Sequence, residues 1–274
     1  MILISGPCVI EGDGSTTIET AQRLADMAYK RDVQLIFKTS FDKANRTSNS
    51  SYRGVGLDMA KEIFKTIKEK TGLPVTTDVH CTDDVWELAP VVDVLQIPAL
   101  LSRQTDLIKA CALHCKAMSI KKGQFIAPHN IDHMIRKSYD TNPDAQLMVI
   151  ERGSCFGYND LVVDFRSFPI MSKLTEHRGT PIIFDATHTV QYPQASAGSS
   201  GGDRSFVAPL ARAAGASGFV DGFFIETHHD PDTALCDGPC MVKLDDMPVL
   251  LDQLIGAVNY GQEASGRNSR AIRV

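Results

Sequence analysis

Short apolar runs recur along this chain, each bounded by turn residues and separated by stretches with helical spacing. They read "ILIS" from residue 2, "VQLIFK" from 33, "LPVTTDV" from 73, "VDVLQI" from 92, "AMSIKK" from 117, "QLMVIER" from 146, "PIIFDA" from 181 and "GFFIE" from 222. Between them, "TTIETAQRLADMAYKRD" and "GLDMAKEIFKTIKEKTG" repeat apolar residues at steps of three and four, and the second closes on Gly72 and Pro74. Strand-then-helix units in this number predict a closed (β/α)8 TIM barrel, one α/β domain over residues 1–274, rather than an open doubly wound sheet.

Composition agrees with that reading. The chain is 43% hydrophobic and 22% charged with a net charge of −5, enough to fill a core and without the basic excess of a nucleic-acid or membrane-surface binder. No run is long enough to span a bilayer, and the first residues lack the basic region of a signal peptide. Seven cysteines, an odd number with no framework spacing, suggest reduced thiols and a cytoplasmic setting. The pairs Cys111/Cys115 and Cys236/Cys240 lack CxxC spacing and read as structural.

The residues at the strands' C-terminal ends carry the chemical signal. In order they are Cys8, Lys38, Asp78, Gln96, Lys121, Arg152, His188 and Glu226. Each can bind an anion or a metal, or move a proton, and barrel enzymes place their chemistry on this face. After the second strand, "FKTSFDKANRTSNSSYRG" sets Lys38, Lys43, Arg46 and Arg53 against Asp42 among hydroxyl and amide donors, a composition suited to phosphate or carboxylate. Lys121 and Arg152 would be neighbours aimed at one spot, with Gly153 letting backbone approach a ligand. Strand alternation turns Lys122 the other way, toward solvent. Cys8, His188, Glu226 and Asp237 come from strands one, seven and eight and the loop after eight, so closure of the barrel brings them together. Thiolate, imidazole and two carboxylates suit a divalent zinc, iron, manganese or cobalt ion. His228 and His229 lie beyond the expected strand end and read as loop residues.

Two segments stand apart. "TVQYPQASAGSSGGDRSF" has no periodicity, so residues 189–205 are expected to form a mobile loop over the site. Residues 262–274, with the basic "GRNSRAIRV", are expected to be a flexible tail.

With these residues in place, the chain resembles the 3-deoxy-D-manno-octulosonate 8-phosphate synthases. The likeness runs from "GPCVIEG" to about residue 245 through "FKTSFDKANRTS", "TDVH", "LQIPALLSRQTDL", "KKGQF", "ERGSCFGYNDLVVDFRSFPIM", "FDATHTVQ", "SGGDR" and "FIETHHDPDTALCDGP". It implies a homotetrameric TIM barrel of lipopolysaccharide biosynthesis that condenses phosphoenolpyruvate with arabinose 5-phosphate and water. Lys38, Lys43, Lys121, Gln124 and Arg152 would hold phosphoenolpyruvate, with Asp78 and Gln96 also lining the substrate site. Asn45, Arg46 and Thr47 would take the pentose phosphate, and Arg103 would reach a neighbouring subunit's site. Cys8 resembles the metal-dependent branch, whose ligands would be Cys8, His188, Glu226 and Asp237; metal-independent members carry asparagine at that cysteine. His188, Lys43 and Asp237 would be the catalytic groups. "CDGPC" is similar to the metal-independent branch, and "APHN" stands where a tryptophan-containing stretch is common, leaving His129 without a role. The sister synthase using erythrose 4-phosphate typically carries "KPRTS", unlike "KANRTS" here; the other alternative is a barrel that only binds a sugar phosphate.

Overall fold

Alternate residues of each strand face opposite layers, and this alternation builds the molecule. The computed structural model describes residues 1–46, 48–157, 160–196 and 199–274. Among them, eight parallel strands close on themselves: β1 (Ile2–Gly6), β2 (Gln34–Lys38), β3 (Val75–Asp78), β4 (Val94–Ile97), β5 (Ala117–Lys121), β6 (Gln146–Glu151), β7 (Ile182–Asp185) and β8 (Gly222–His228). Closure comes from β8 pairing with β1, from Gly222 beside Ile2 to Glu226 beside Gly6. The surrounding helices are α1 (Ser15–Tyr29), α2 (Leu57–Thr71), α3 (Thr82–Leu88), α4 (Thr105–His114), α5 (Ile131–Thr141), α6 (Ser167–Thr175), α7 (Val207–Ala216) and α8 (Met247–Ser265). The molecule is the single-domain (β/α)8 barrel expected from the apolar pattern.

Helix α2 shows how the sequence specifies these units. Ala60, Ile63, Phe64 and Ile67 recur at helical spacing and are buried; a fully buried Phe or Ile contributes roughly 1.5–3 kcal/mol. Asp58 in the first turn and Lys68 and Lys70 in the last complement the helix dipole. Gly72, at φ 66°, ends the helix by donating to Lys68 O, so an alanine there would strain the left-handed cap.

Two apolar layers result. Inward-facing Ile4, Ile36, Val94, Ile150, Ile183 and Phe224 fill the lower barrel, while outward-facing Leu3, Phe37, Leu95 and Phe184 pack with helix residues such as Leu24, Phe64 and Leu254. Continued toward the strands' C-terminal ends, the inward parity turns polar: Ile36 gives way to Lys38, Val94 to Gln96, Ile183 to Asp185 and Phe224 to Glu226, all buried. That upper layer is the site.

Two further segments have structure that no apolar periodicity marks. Within residues 189–205, Gln191–Ser196 pairs antiparallel with Ser199–Gly202, because backbone pairing needs no apolar periodicity; Ala197 and Gly198 lie outside the described residues. The basic tail is anchored rather than loose. Arg267 Nη2 lies 2.8 Å from both carboxylate oxygens of Asp221, and Arg270 donates to Asp221 Oδ1 and to Thr180 O. Ile272, 4% exposed, joins the lower barrel cluster. The buried carboxylate that captures the tail precedes it by nearly fifty residues, so no local pattern announces the contact. Among the described residues, no helix is long and apolar enough to cross a membrane.

Candidate active site

Lys38, Ser40, Lys43, Asp78 and Gln96 form one connected group above β2, β3 and β4. Lys38 Nζ donates to Glu226 Oε1 at 3.0 Å and to Ser40 Oγ at 3.1 Å. Lys43 Nζ reaches the same hydroxyl at 3.0 Å, and Ser40 Oγ in turn donates to Asp78 Oδ2 at 2.9 Å. Gln96 Nε2 donates to Asp78 Oδ1 at 2.6 Å. Burial works against the charged form of both lysines. Glu226 and Asp78, with Cys8 and Cys236 also beside Lys43, outweigh it and raise both ammonium pKa values. Burial likewise opposes ionisation of Asp78 and Glu226, yet the surrounding cations hold Asp78 well below the usual carboxylate range and Glu226 down to about 2.

Across the barrel, Lys121 Nζ lies 2.8 Å from Asp185 Oδ2 and 3.8 Å from the centre of the Phe224 ring. Burial lowers its pKa despite that carboxylate. Asp185 also holds His188: its Oδ2 is 2.8 Å from His188 Nδ1, and its Oδ1 accepts from the His188 backbone N–H at 2.9 Å. Arg152 is buried and donates to Gln191 Oε1 at 2.9 Å. Gln124 Oε1 is buried without a hydrogen-bond partner among the described residues, a cost of roughly 1–3 kcal/mol that a ligand's donor would relieve.

The metal-type groups gather between these two sets. His188 Nε2 faces Glu226 Oε2 at 3.7 Å and Asp237 Oδ2 at 3.9 Å. Cys8 Sγ lies 3.2 Å from Asp237 Oδ2 and 3.0 Å from Cys236 Sγ. Asp237 adopts φ 51°, a left-handed conformation that Asp tolerates better than most residues and that is enriched at functional sites. Two triads, Cys8–Cys236–Asp237 and His188–Glu226–Asp237, each fit within 4.8 Å. The set suits a divalent cation on its own chemistry: it mixes sulfur, nitrogen and oxygen donors, and Asp185 holds Nδ1 so that Nε2 faces the carboxylates. Burial, Cys236 and Asp237 push the Cys8 thiol pKa well up, so a cation would be needed to keep it as thiolate.

The other expected residues are placed as follows. Arg46 is half-buried and donates to Cys236 Sγ at 3.1 Å and Leu235 O at 3.2 Å. Asn45 is exposed, and Thr47 lies outside the described residues. Arg103 is exposed between a short helical turn (Ala99–Leu101) and α4, and no described contact carries its guanidinium to the site. His129 is exposed as well. Gly153 has φ +85°, and a Cβ there would meet Thr189 Oγ1 at 2.9 Å, so the chain's own packing already requires the glycine.

Three readings are corrected. Lys122 does face outward, but it is fully buried, not solvated, with Nζ 3.2 Å from Ser154 Oγ and 3.5 Å from Glu151 Oε1. The outside of a parallel barrel is covered by helices and loops, so outward parity does not mean solvent. His228 belongs to β8, is 3% exposed and faces Glu11 at 3.6 Å. Cys236 reaches the cluster instead of merely packing. Asp185 and Ser40 received no role from the sequence; an aspartate ending an apolar strand three residues before His188 was the available signal for the first.

Fold and site together define a (β/α)8 barrel that gathers cationic and metal-type groups at the C-terminal ends of its strands. The chain belongs to the DAHP synthetase I family, whose model matches residues 1–259. It is 54% identical over 256 residues to a 2-dehydro-3-deoxyphosphooctonate aldolase of Methylobacterium radiotolerans, covering 93% of this chain and 88% of that protein. Proteins of the same name from Geotalea daltonii and Brucella abortus are each 50% identical over 93% of this chain, covering 91% and 90% of their own lengths.

Proposed function

We propose that this chain is a 3-deoxy-D-manno-octulosonate 8-phosphate synthase, condensing phosphoenolpyruvate with D-arabinose 5-phosphate and water and releasing inorganic phosphate. The names of its relatives support the reaction. One structural observation carries the reading: Lys38 and Lys121 are matched by Glu226 and Asp185, whereas Lys43, Arg46 and Arg152 donate to neutral acceptors. The second group is the one free to exchange those acceptors for anions, and charge-assisted bonds to phosphate or carboxylate are roughly twice as strong as neutral ones. Lys43, Arg152, Lys121, Lys38 and Gln124 then hold phosphoenolpyruvate, lined by Asp78 and Gln96. Arg46, with Asn45 and Thr47, takes the pentose phosphate.

The new bond joins C3 of phosphoenolpyruvate to C1 of the sugar, water adds at C2, and phosphate leaves from C2. Holding both substrates in reacting geometry can remove roughly 7–11 kcal/mol of the barrier. Cys8, His188, Glu226 and Asp237 hold a divalent zinc, iron, manganese or cobalt ion, which when bound supplies Lewis-acid stabilisation of negative charge on oxygen. Lys43 stays an ammonium and neutralises charge on a substrate oxygen. His188 would contribute by holding the cation through Nε2, and the Asp237 carboxylate would handle the protons of the sugar aldehyde oxygen and of the attacking water. The ribbon within residues 189–205 acts as a mobile cover. The active species is a cytoplasmic homotetramer in lipopolysaccharide biosynthesis, with Arg103 completing a neighbour's site; mixing Arg103→Ala with Arg152→Ala subunits would restore activity.

Phosphate release from phosphoenolpyruvate, with arabinose 5-phosphate against erythrose 4-phosphate and before and after chelation, tests the proposal. Faster turnover of erythrose 4-phosphate points to the sister reaction. Release with neither sugar leaves a binding protein.

A further inference from the structure

The sulfur of Cys236 lies among groups that suit it to more than packing. Its Sγ is 3.0 Å from Cys8 Sγ, and both cysteines are buried. Its chain neighbour Asp237 places Oδ2 3.2 Å from Cys8 Sγ, so all three donors fit within 4.8 Å. The surroundings are cationic. Arg46 Nη1 donates to Cys236 Sγ at 3.1 Å, and the Lys43 ammonium is close enough for both cysteines to raise its pKa. Cysteine binds a metal as thiolate, and a cation bound at this triad would displace the thiol protons.

Two juxtaposed sulfurs beside a carboxylate have a definite chemical preference. Soft thiolates select zinc and other thiophilic ions, whereas carboxylates and imidazole alone bind hard cations such as manganese comparatively well. The Cys8–Cys236–Asp237 triad shares Asp237 with the His188–Glu226–Asp237 triad, so this carboxylate links two separate donor sets that an ion bound at Asp237 would draw together. The first supplies softness and the second supplies oxygen and nitrogen donors.

We propose that Cys236 is a metal ligand, giving the substrate-free enzyme a second thiolate beside Cys8 and Asp237 and tilting the site toward thiophilic cations. The inference rests on the metal reading given above and adds a residue to it. Binding replaces the proton of each thiol with a bond to the cation and releases those protons to solvent. Arg46, the proposed pentose-phosphate anchor, is also the partner of this sulfur, which couples the ligand set to the sugar site through one side chain.

The test uses the full-length protein loaded with cobalt(II) under argon after reduction of its thiols. Sulfur-to-cobalt charge transfer gives near-ultraviolet absorption whose intensity grows with the number of bound thiolates. We expect Cys236→Ser and Cys8→Ser each to retain about half of the wild-type band and the double variant none. Zinc affinity, read by competition with a chromophoric chelator, is expected to fall at least about 10-fold in Cys236→Ser, with a much smaller change for manganese. A band abolished by Cys8→Ser and unchanged by Cys236→Ser would overturn the proposal while leaving the metal reading intact. Cobalt bound with no charge-transfer band in the wild type would overturn both. Equal losses of zinc and manganese affinity in both Cys236→Ser and Cys236→Ala would also overturn it, marking Cys236 as a packing residue.

Discussion

Asp185 Oδ2 stands 2.8 Å from His188 Nδ1, so the carboxylate ending β7 fixes which nitrogen of the imidazole faces Glu226 and Asp237. Burial opposes the Asp185 charge, but His188 and Lys121 hold its carboxyl far below the usual range, and it remains an anion. Asp185→Asn keeps the size and one acceptor while removing the charge shared with Lys121 and His188. Outer partners of metal-bound histidines typically contribute about 10- to 100-fold in metal affinity. Zinc affinity of the variant should fall by that factor, and the metal-free protein should also melt lower, because Lys121 loses its buried carboxylate partner. Unchanged affinity would show that Asp185 serves only Lys121.

Much of this was legible in the chain because a parallel barrel repeats one simple pattern. All eight strands were marked by apolar runs, and the inward parity that buries Ile36 and Ile183 carries directly to Lys38 and Asp185. What the pattern cannot contain is contact between layers. Lys122 looked solvent-facing because alternation gives only a direction, and burial of its ammonium depends on the Ser154–Phe156 and Asp160–Val162 ribbon segment and on Glu151. Cys236 looked structural because its partner, Cys8, stands at the other end of the chain. Distances of this kind follow from closure of the barrel, not from spacing along it.

Arg46→Ala should raise the KM for arabinose 5-phosphate by about 10- to 100-fold, the equivalent of one hydrogen bond to a charged group at roughly 1.5–3 kcal/mol. The KM for phosphoenolpyruvate should stay within about twofold, because only one substrate loses a phosphate contact. Steady-state kinetics with each substrate varied separately will decide. Equal losses for both substrates would mean that the loop acts on the whole site and not on the sugar alone.

Acid should weaken the metal-free fold through the same carboxylates. Glu226 is lowered from 4.5 to about 2 by His188 and the lysines against the opposing effect of burial. A depressed carboxyl contributes stability that is complete above its unfolded pKa and is lost as pH falls through its folded one. For Glu226 that window runs from 4.5 to about 2; Asp78 and Asp185 are also depressed and extend it downward. Denaturant unfolding between pH 7 and pH 3 should therefore show a loss that Glu226→Gln reduces. An identical pH slope in wild type and variant would remove Glu226 from the account.

The last expectation concerns the end of the barrel opposite the site. Asp221 is fully buried, donates no hydrogen bond as a carboxylate, and accepts from Ile182 N, Arg267 and Arg270 N. Removing residues 267–274 takes away its cation and strips Ile272 from the inner apolar cluster of the barrel. Breaking a buried ion pair from one side costs roughly 3–5 kcal/mol, because the remaining charge is left without compensation. At about 2–4 °C per kcal/mol for a domain approaching this size, the truncated chain should melt on the order of 10 °C below the full one. Arg267→Ala should reproduce most of that drop, and adding Asp221→Asn should recover part of it by discharging the stranded carboxylate while keeping an acceptor for Ile182 N. Turnover per folded molecule should change little, since these contacts lie at the N-terminal ends of β7 and β8. Calorimetry on the four proteins checks the series. A truncated chain that melts with the full-length one would show that Asp221 finds its compensation elsewhere and that the tail is only resting on the barrel.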